Sequence, residues 1–261
     1  MRALFLVFLA FVVAACSSGG PTSVLDVSLA VQNPRFGDAD PVDWPTRKPW
    51  QYPVHGIDVA RYQGDINWPK TKRGGVAFAF IKATEGGDHI DPKFARNWNG
   101  SARAGVPRGA YHFYYFCRTP QEQARWFIRN VPKDPNALPP VLDMEWNHGS
   151  KSCKRKPSPA QVRAEMRTFL QIVKRHYGKS PIIYTTVDFF ADNGLKQFHG
   201  YEYWLRSVAG HPSQVYPGQR WSFWQYTGTG HIPGIEGETD INVFAGSPAK
   251  WRNWVAHHTQ Q

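Results

Sequence analysis

One segment of the sequence predicts both a buried strand and the polar chemistry at its end: Leu138-Pro139-Pro140-Val141-Leu142-Asp143-Met144-Glu145-Trp146. Two prolines lead into a short apolar run, and the run ends in an Asp-x-Glu tripeptide. A strand places residues i and i+2 on the same face, about 6.5 Å apart along the chain. The pattern therefore predicts a buried strand whose C-terminal end presents Asp143 and Glu145 in one direction.

Similar apolar runs recur along the chain and alternate with helical patterns. The candidate strands are 56–60, 77–82, 108–116, 140–146, 181–185, 203–207 and 222–226, and the candidate helices are 93–104, 120–131 and 159–177. This alternation predicts an α/β fold with a parallel sheet and crossover helices. Seven such strands in one domain favour a single modified TIM-like β/α barrel with its active site at the C-terminal ends of the strands. An open doubly wound sheet is the alternative, but no glycine-rich phosphate-binding fingerprint follows any strand.

Further acids stand at the predicted strand ends. Asp58 lies within the first strand, and Asp240 follows a glycine-rich loop. Neighbouring carboxylates in a partly dry site cannot all ionise, so one becomes a proton donor beside an anion, which is the pair that glycosidic bond cleavage requires. Glu145 has the longer reach and is the candidate general acid, with Asp143 as its charged partner. Alternatives remain: a solvated turn or a metal ligand for Asp-x-Glu, a structural acid for Asp58, and a turn for Asp240.

Polar and aromatic residues cluster near the same strand ends, and the chain has 11 Trp. Rings offer flat faces on which sugars stack, although core packing explains many of them equally well. The candidate substrate-binding residues are Tyr111, Tyr114, Trp146, Tyr184, Trp204, Gln225 and Tyr226.

The composition narrows the function classes. The net charge is +11 and the isoelectric point is near 9.7, which favours association with polyanions. No zinc-finger spacing or basic heptad array is present, so nucleic acid is not an expected partner. The absence of H-E-x-x-H and G-x-S-x-G patterns argues against a zinc hydrolase and a serine hydrolase.

The N-terminus predicts export. Residues 1–15 resemble a signal peptide, because their apolar run is too short to span a bilayer. The run ends in Val13-Ala14-Ala15-Cys16, which is similar to the cleavage site of bacterial lipoproteins and implies lipidation of Cys16. Ser17 is similar to an outer-membrane sorting residue in a Gram-negative host. An ordinary cleaved signal with an incidental cysteine is the alternative.

The expected organisation has four parts. Residues 1–15 form the signal peptide, 16–51 a lipid anchor and flexible tether, 52–256 the barrel domain and 257–261 a polar tail. With Cys16 lipidated, Cys117 and Cys153 remain as an even pair in an exported protein, which predicts a disulfide, with two free thiols as the alternative.

The ordered motifs resemble the glycoside hydrolase family 25 muramidases, the Chalaropsis-type lysozymes. The matching pieces are His55-Gly56-Ile57-Asp58-Val59, Gln63-Gly64, Phe80-Ile81-Lys82-Ala83-Thr84-Glu85-Gly86, Asp91-Pro92-Lys93-Phe94, Asn97-Trp98, Gly109-Ala110-Tyr111-His112-Phe113, Leu142-Asp143-Met144-Glu145, Ile183-Tyr184-Thr185, Trp224-Gln225-Tyr226 and Asp240-Ile241-Asn242. They follow the family's order over roughly residues 52–245. Each piece is weak alone, but the ordered set is specific.

The resemblance implies hydrolysis of the β-1,4 bond between N-acetylmuramic acid and N-acetylglucosamine in peptidoglycan. It implies Glu145 as general acid in a groove with Asp58, Asp143 and Asp240, retention of configuration through the substrate's own acetamido group, and no metal or cofactor. A monomer that meets peptidoglycan and the membrane is expected. The alternatives are a non-catalytic wall-binding module and a chitinase-like hydrolase, which would need a longer acidic run before Glu145. The basic run 151–156 is either a contact for anionic wall polymer or a solvated loop.

Overall fold

The computed structural model describes residues 32–259. Within them, strands and helices alternate along the sequence. The strands are β1 (Gly37–Asp38), β2 (His55–Val59), β3 (Phe78–Glu85), β4 (His89–Ile90), β5 (Arg108–Phe113), β6 (Val141–Met144), β7 (Ile182–Thr185), β8 (Tyr203–Arg206), β9 (Phe223–His231) and β10 (Thr239–Phe244). The α-helices are α1 (Trp68–Arg73), α2 (Phe94–Arg103), α3 (Pro120–Asn130), α4 (Pro159–Tyr177), α5 (Val187–Asp192), α6 (Pro212–Val215) and α7 (Pro248–Thr259).

Eight strands close into a barrel, which confirms the predicted α/β barrel. From β2 through β3, β5, β6, β7 and β8 to β9, successive neighbours are parallel. The eighth strand, β10, pairs antiparallel with both β9 and β2 and so completes the circle. The sequence motifs did not predict this strand. Because only residues 232–238 join β9 to β10, there is no room for a crossover helix, and the chain must return antiparallel.

Alternate residues of each strand separate the barrel interior from the helical layer. On β6, Val141 belongs to the inner core, whereas Leu142 and Met144 pack towards the helices. Aromatic rings fill the interior: Phe80 and Trp204 stack with their ring centres 4.6 Å apart. Gly56 is required beside this core, since a Cβ there would lie 2.4 Å from the Phe78 ring. The interior is thus packed solid below the strand ends that carry the acids.

The last helix closes the opposite end of the barrel. Trp251 of α7 is fully buried, with its ring 5.2 Å from that of Phe78 and 5.3 Å from that of Phe244. Because α7 continues to Thr259, the predicted polar tail at 257–261 is helical as far as the structure describes it. Because α7 fills this end, the C-terminal side of the parallel strands is where the described part of the barrel is open to a ligand.

Capping explains why the longest helix has the bounds that the sequence predicts. Ser158 accepts a hydrogen bond from the Gln161 backbone, and Pro159 occupies the first turn of α4. Gly178 ends the helix in the left-handed conformation, with φ of 75°. The other two predicted helices are found within one or two residues of their expected ends.

Part of the segment interpreted as a tether packs on the barrel. Gly37 and Asp38 form β1 beside β9, and the Trp44 ring meets the Trp224 ring edge-on at 5.0 Å. Trp44 is 5% exposed. Residues 37–51 are therefore attached to the domain, because a buried ring and a strand pairing outweigh the proline-rich, polar composition that predicted flexibility. The predicted signal peptide, Cys16 and the tether up to residue 31 lie outside the described residues.

A disulfide joins Cys117 and Cys153, whose Cα atoms are 5.8 Å apart. It connects the loop after β5 to the loop after β6. Among residues 32–259, no helix has the length and apolarity needed to cross a bilayer.

Removing this disulfide is expected to destabilise the domain. For Cys117→Ala/Cys153→Ala, closing a loop of 36 residues predicts a loss of about 3 to 4 kcal/mol in the free energy of unfolding. Denaturant unfolding of the variant and of the wild type, each with and without reductant, measures it. Reduced wild type should match the variant, and an unchanged unfolding midpoint in the variant would contradict the prediction.

Candidate active site

The four predicted acids converge at one end of the barrel. Asp58 lies on β2, Asp143 on β6, and Glu145 follows the end of β6 by one residue. Asp240 is the second residue of the antiparallel β10, where it is the direct cross-strand partner of Asp58. All four line one cleft with about 860 Å³ of empty space that opens to solvent. The rest of its lining includes the cations Lys82 and Arg206, the amide of Gln225 and the rings of Tyr62, Tyr111, Phe113, Tyr184 and Trp204.

A hydrogen-bonded network fixes Asp58 at the base of the cleft. Its Oδ2 accepts from Gln225 Nε2 at 2.9 Å and from Asn242 Nδ2 at 2.8 Å. The amide oxygens are used in turn, because Tyr184 donates to Gln225 at 2.9 Å and Trp204 donates to Asn242 at 2.7 Å. Each amide is thereby oriented so that its NH₂ group faces Asp58. The side chain is rigid and 6% exposed, which favours a fixed charge over a mobile one.

Burial is the main reason why the pKa values of these acids lie above their ordinary range. It raises the pKa of Glu145 to about 7, with the negative charges of Asp188 and Asp58 adding to the effect and Arg206 opposing it. Burial also raises the pKa of Asp58 to about 6, although the hydrogen bonds from Asn242 and Gln225 favour its charged form. Glu145 therefore changes protonation state near neutral pH, as a general acid must.

The surroundings of Asp143 and Asp240 disfavour an ionised carboxylate even more strongly than those of Asp58 and Glu145. Burial, joined by the charge of Glu145, raises the pKa of Asp143 well above its usual range. Burial, joined by the charge of Asp58, does the same to the pKa of Asp240. Asp143 Oδ1 is buried and has no hydrogen-bond partner among the described residues. Since a buried polar atom without a partner is costly, Asp143 is expected to complete its bonding with a ligand.

Lys82 and Arg206 offset part of the negative charge of the four acids. The sequence motifs did not assign either cation to the site. Lys82 Nζ pairs with Glu85 at 2.6 Å at the rim, and its positive charge lowers the pKa of both Asp143 and Glu145. Arg206, at the C-terminal end of β8, lowers the pKa of Glu145 and Asp240. Its position at a strand end was the signal that could have revealed it.

Tyr62 is an aromatic residue of the cleft that the sequence motifs also missed. It is 73% exposed, and Arg61 supports it with a hydrogen bond of 3.2 Å and a guanidinium 5.0 Å from the ring centre. A large exposed ring beside a polar cleft is a surface on which a pyranose can stack. The sequence could have indicated Tyr62 as a cleft residue, because it lies four residues after Asp58, just past the end of the strand.

Tyr62→Ala is expected to raise KM about tenfold and to leave kcat within about twofold, because the ring adds contact area without touching the acids. Trp50→Ala is a matched control, since Trp50 is also partly exposed (37%) and lies outside the cleft. Steady-state hydrolysis of soluble glycan measures both constants. A fall in kcat with unchanged KM would contradict the stacking role.

The predicted substrate-binding residues divide into three groups. Tyr111, Tyr184, Trp204 and Gln225 face the cleft. Tyr226 instead points outward and its hydroxyl lies 3.2 Å from His55 Nδ1, while Tyr114 packs among the helices and donates to Glu165 at 3.0 Å. Trp146 lines a neighbouring pocket together with Glu145.

Strand parity explains this division. Gln225 faces inward, so its neighbour Tyr226 must face outward, and Tyr114 is three residues from Tyr111 and cannot share its face. The described residues contain no group of three or more His, Cys, Asp or Glu side chains arranged to hold a metal ion.

Comparison with known proteins agrees with the geometry. The family model described as "Glycosyl hydrolases family 25" matches residues 57–235. Lysozyme M1 of Streptomyces globisporus is 36% identical over 208 residues, covering 76% of this chain and 69% of that protein. A family 25 glycosyl hydrolase from Bacillus anthracis has a TM-score of 0.72 at 38% identity, covering 78% of this chain and 94% of that one. The bacterial lysozyme from Streptomyces coelicolor has a TM-score of 0.69 at 34% identity, covering 78% and 98%.

The family match spans more than half of the chain and includes Asp58, Asp143 and Glu145. The fold, the order of motifs and the sequence similarity all point to the same family. The resemblance inferred from the motifs is confirmed, and the chain belongs to glycosyl hydrolase family 25, as a glycoside hydrolase of the lysozyme type.

Proposed function

We propose that this enzyme is a peptidoglycan muramidase that cleaves the β-1,4 bond between N-acetylmuramic acid and N-acetylglucosamine, with Glu145 as general acid. The observation that carries the proposal is the convergence of Glu145 with three further carboxyls in one cleft, where burial raises the pKa of Glu145 to about 7. A protonated carboxyl beside fixed negative charge is the arrangement that glycosidic bond cleavage uses. The names of the lysozyme relatives support the choice of substrate.

In the first step, the Glu145 proton moves to the glycosidic oxygen as the bond from that oxygen to the anomeric carbon breaks. The carbonyl oxygen of the substrate's 2-acetamido group attacks the same carbon and forms a cyclic intermediate. Water then opens this intermediate, with the Glu145 carboxylate accepting its proton, so the configuration is retained. Asp143 or Asp240 orients the acetamido N–H, and Asp143 Oδ1 has the free acceptor capacity that this requires.

Asp58 is a positioning residue in this scheme. The amides of Gln225 and Asn242 hold it in one orientation, and its charge raises the pKa of both Glu145 and Asp240.

Replacing Asp143 and Asp240 by Asn, one at a time, separates their roles. The residue that orients the acetamido group should be the one whose loss lowers kcat most on N-acetylated glycan.

Mass spectrometry of the muropeptides released from purified peptidoglycan tests the proposal. New reducing ends should be N-acetylmuramic acid. Reducing-end N-acetylglucosamine would assign the cut to the other glycosidic bond. Binding to the cell wall without release of new reducing ends would contradict the proposed muramidase activity.

We also propose that the protein is exported and acts as a monomer held to a membrane by a lipid on Cys16, at the periplasmic face of the outer membrane in a Gram-negative cell. The support is the sequence of residues 1–17, with its short apolar run and small residues before the cysteine. Metabolic labelling with a fatty acid tests this. Cys16→Ala should abolish the label, and equal labelling of the variant and the wild type would refute the anchor.

A further inference from the structure

The loop between β6 and α4, residues 147–158, is here called the basic loop. It carries Lys151, Lys154, Arg155 and Lys156, and all four are exposed. No carboxylate of residues 32–259 lies within ion-pairing distance of any of them. The loop therefore concentrates positive charge that the described part of the protein does not neutralise, and an anionic ligand would be attracted to it.

Several contacts fix the basic loop against the barrel. The disulfide from Cys153 to Cys117 ties it to the loop after β5. Arg155 Nη1 donates to the Phe116 carbonyl at 3.4 Å, and Lys156 Nζ lies 4.9 Å from the centre of the Trp146 ring. A freely solvated loop would not need these attachments. They place the cations in a defined position before any ligand arrives, which lowers the entropy cost of binding.

The fixed cations face a pocket that adjoins the catalytic cleft. This side pocket has about 610 Å³ of empty space, and its lining includes Tyr115, Phe116 and Trp146 together with the cations from Lys154 to Lys156. Glu145 belongs to the lining of both the side pocket and the cleft. A group that enters the side pocket is therefore attached to the sugar being processed at Glu145, or lies directly beside it.

We infer that the side pocket binds the carboxylates of the peptide stem that peptidoglycan carries on muramic acid, and this inference rests on the proposed function. Of the two sugars in the glycan, only muramic acid bears a lactyl ether and, through it, a peptide with free carboxylates. Arg155 and the two lysines match that charge, since guanidinium and ammonium groups form charge-assisted hydrogen bonds with carboxylates. The aromatic lining gives the apolar part of the peptide a contact surface.

The test compares two substrates: soluble glycan strands with their stems, and the same strands after an amidase has removed the stems and the lactyl carboxylates that it exposes have been converted to neutral amides. The variant Lys154→Gln/Lys156→Gln removes two charges and leaves Arg155 and its bond to Phe116 in place. The matched control is Lys174→Gln/Arg175→Gln on α4, which removes the same charge from exposed positions that line neither pocket.

We expect kcat/KM of the basic-loop variant to fall about tenfold on stem-bearing glycan and less than about twofold on stem-free glycan. The control should change neither, and salt near 0.5 M should narrow the difference by screening. An equal loss on both substrates, or no loss on either, overturns the inference. A loss that persists on stem-free walls that retain phosphate-bearing polymer would also overturn it, in favour of that polymer.

A separate measurement keeps the inference distinct from the proposed function. Wild-type release of reducing ends from stem-free glycan reports on the muramidase activity alone. Calorimetric binding of a soluble stem-bearing muropeptide requires no cleavage, and the Lys154→Gln/Lys156→Gln variant should bind it about tenfold more weakly than the wild type. Equal affinity would refute the stem site even in an enzyme that is fully active.

Discussion

Glu145→Gln is expected to lower kcat by about a thousandfold while the barrel stays folded. Gln has nearly the same shape but cannot donate a proton, and general acid catalysis contributes about 10² to 10⁴ in rate. Since burial raises the pKa of Glu145 to about 7, the wild-type rate should also fall as the pH rises above about 7, because the acid then loses its proton. Release of reducing ends from peptidoglycan, measured as a function of pH, tests both effects.

Glu236→Gln is the matched control for this variant. Glu236 is exposed and does not line the cleft, so the same change of charge should leave the rate within about twofold of wild type. Normal turnover by Glu145→Gln would refute the assignment of the acid. A residual activity in the variant that keeps the wild-type fall above neutral pH would show that a different group titrates in this range.

The same substitution is expected to stabilise the protein at alkaline pH. The folded pKa of Glu145 is about 7, against an ordinary value of 4.5, and each pKa unit corresponds to about 1.4 kcal/mol. Between these two values the unfolded chain releases a proton that the folded protein keeps, so the wild type loses stability as the pH rises. Because Gln does not titrate, Glu145→Gln should exceed the wild type by about 3 kcal/mol near pH 8 and match it near pH 4.

Denaturant unfolding at several pH values measures the free energy of unfolding of both proteins. Subtracting one value from the other removes the contribution of the other titrating groups. Glu236→Gln should follow the wild type at every pH. A variant that is less stable than the wild type near pH 8 would show that the charged Glu145 has favourable contacts that outweigh its burial. The expected result would show that keeping a proton donor in the cleft lowers the free energy of unfolding of the enzyme at neutral pH.

Local patterns in the sequence predicted much of the scaffold. The serine cap, the proline in the first turn and the terminal glycine fixed the bounds of α4, since these interactions involve residues close together in the chain. The apolar run before Asp143 predicted β6 for the same reason. The alternation of strands with helices then predicted a barrel, and the rule that the C-terminal ends of parallel strands share one face placed Asp58, Asp143 and Glu145 together.

Other features follow only from contacts between distant residues. The pairing of Asp240 with Asp58 exists because the antiparallel β10 closes the barrel, and no motif in either segment encodes that partner. The outward orientation of Tyr114 and Tyr226 depends on which parity of each strand faces inward. Where both faces of a strand are apolar, as in a parallel barrel, the sequence shows a continuous apolar run and does not indicate which residues face inward.

From the sequence we predicted seven strands of the barrel, the three longer helices before α7 and the acids available for catalysis, because capping and apolar runs are local effects. The tertiary structure alone decided the protonation of those acids, the attachment of Trp44 to the barrel and the opening of a basic side pocket beside Glu145. The physical reason is that burial and electrostatic repulsion depend on everything within several ångströms of a group, and most of those neighbours are far away in the chain.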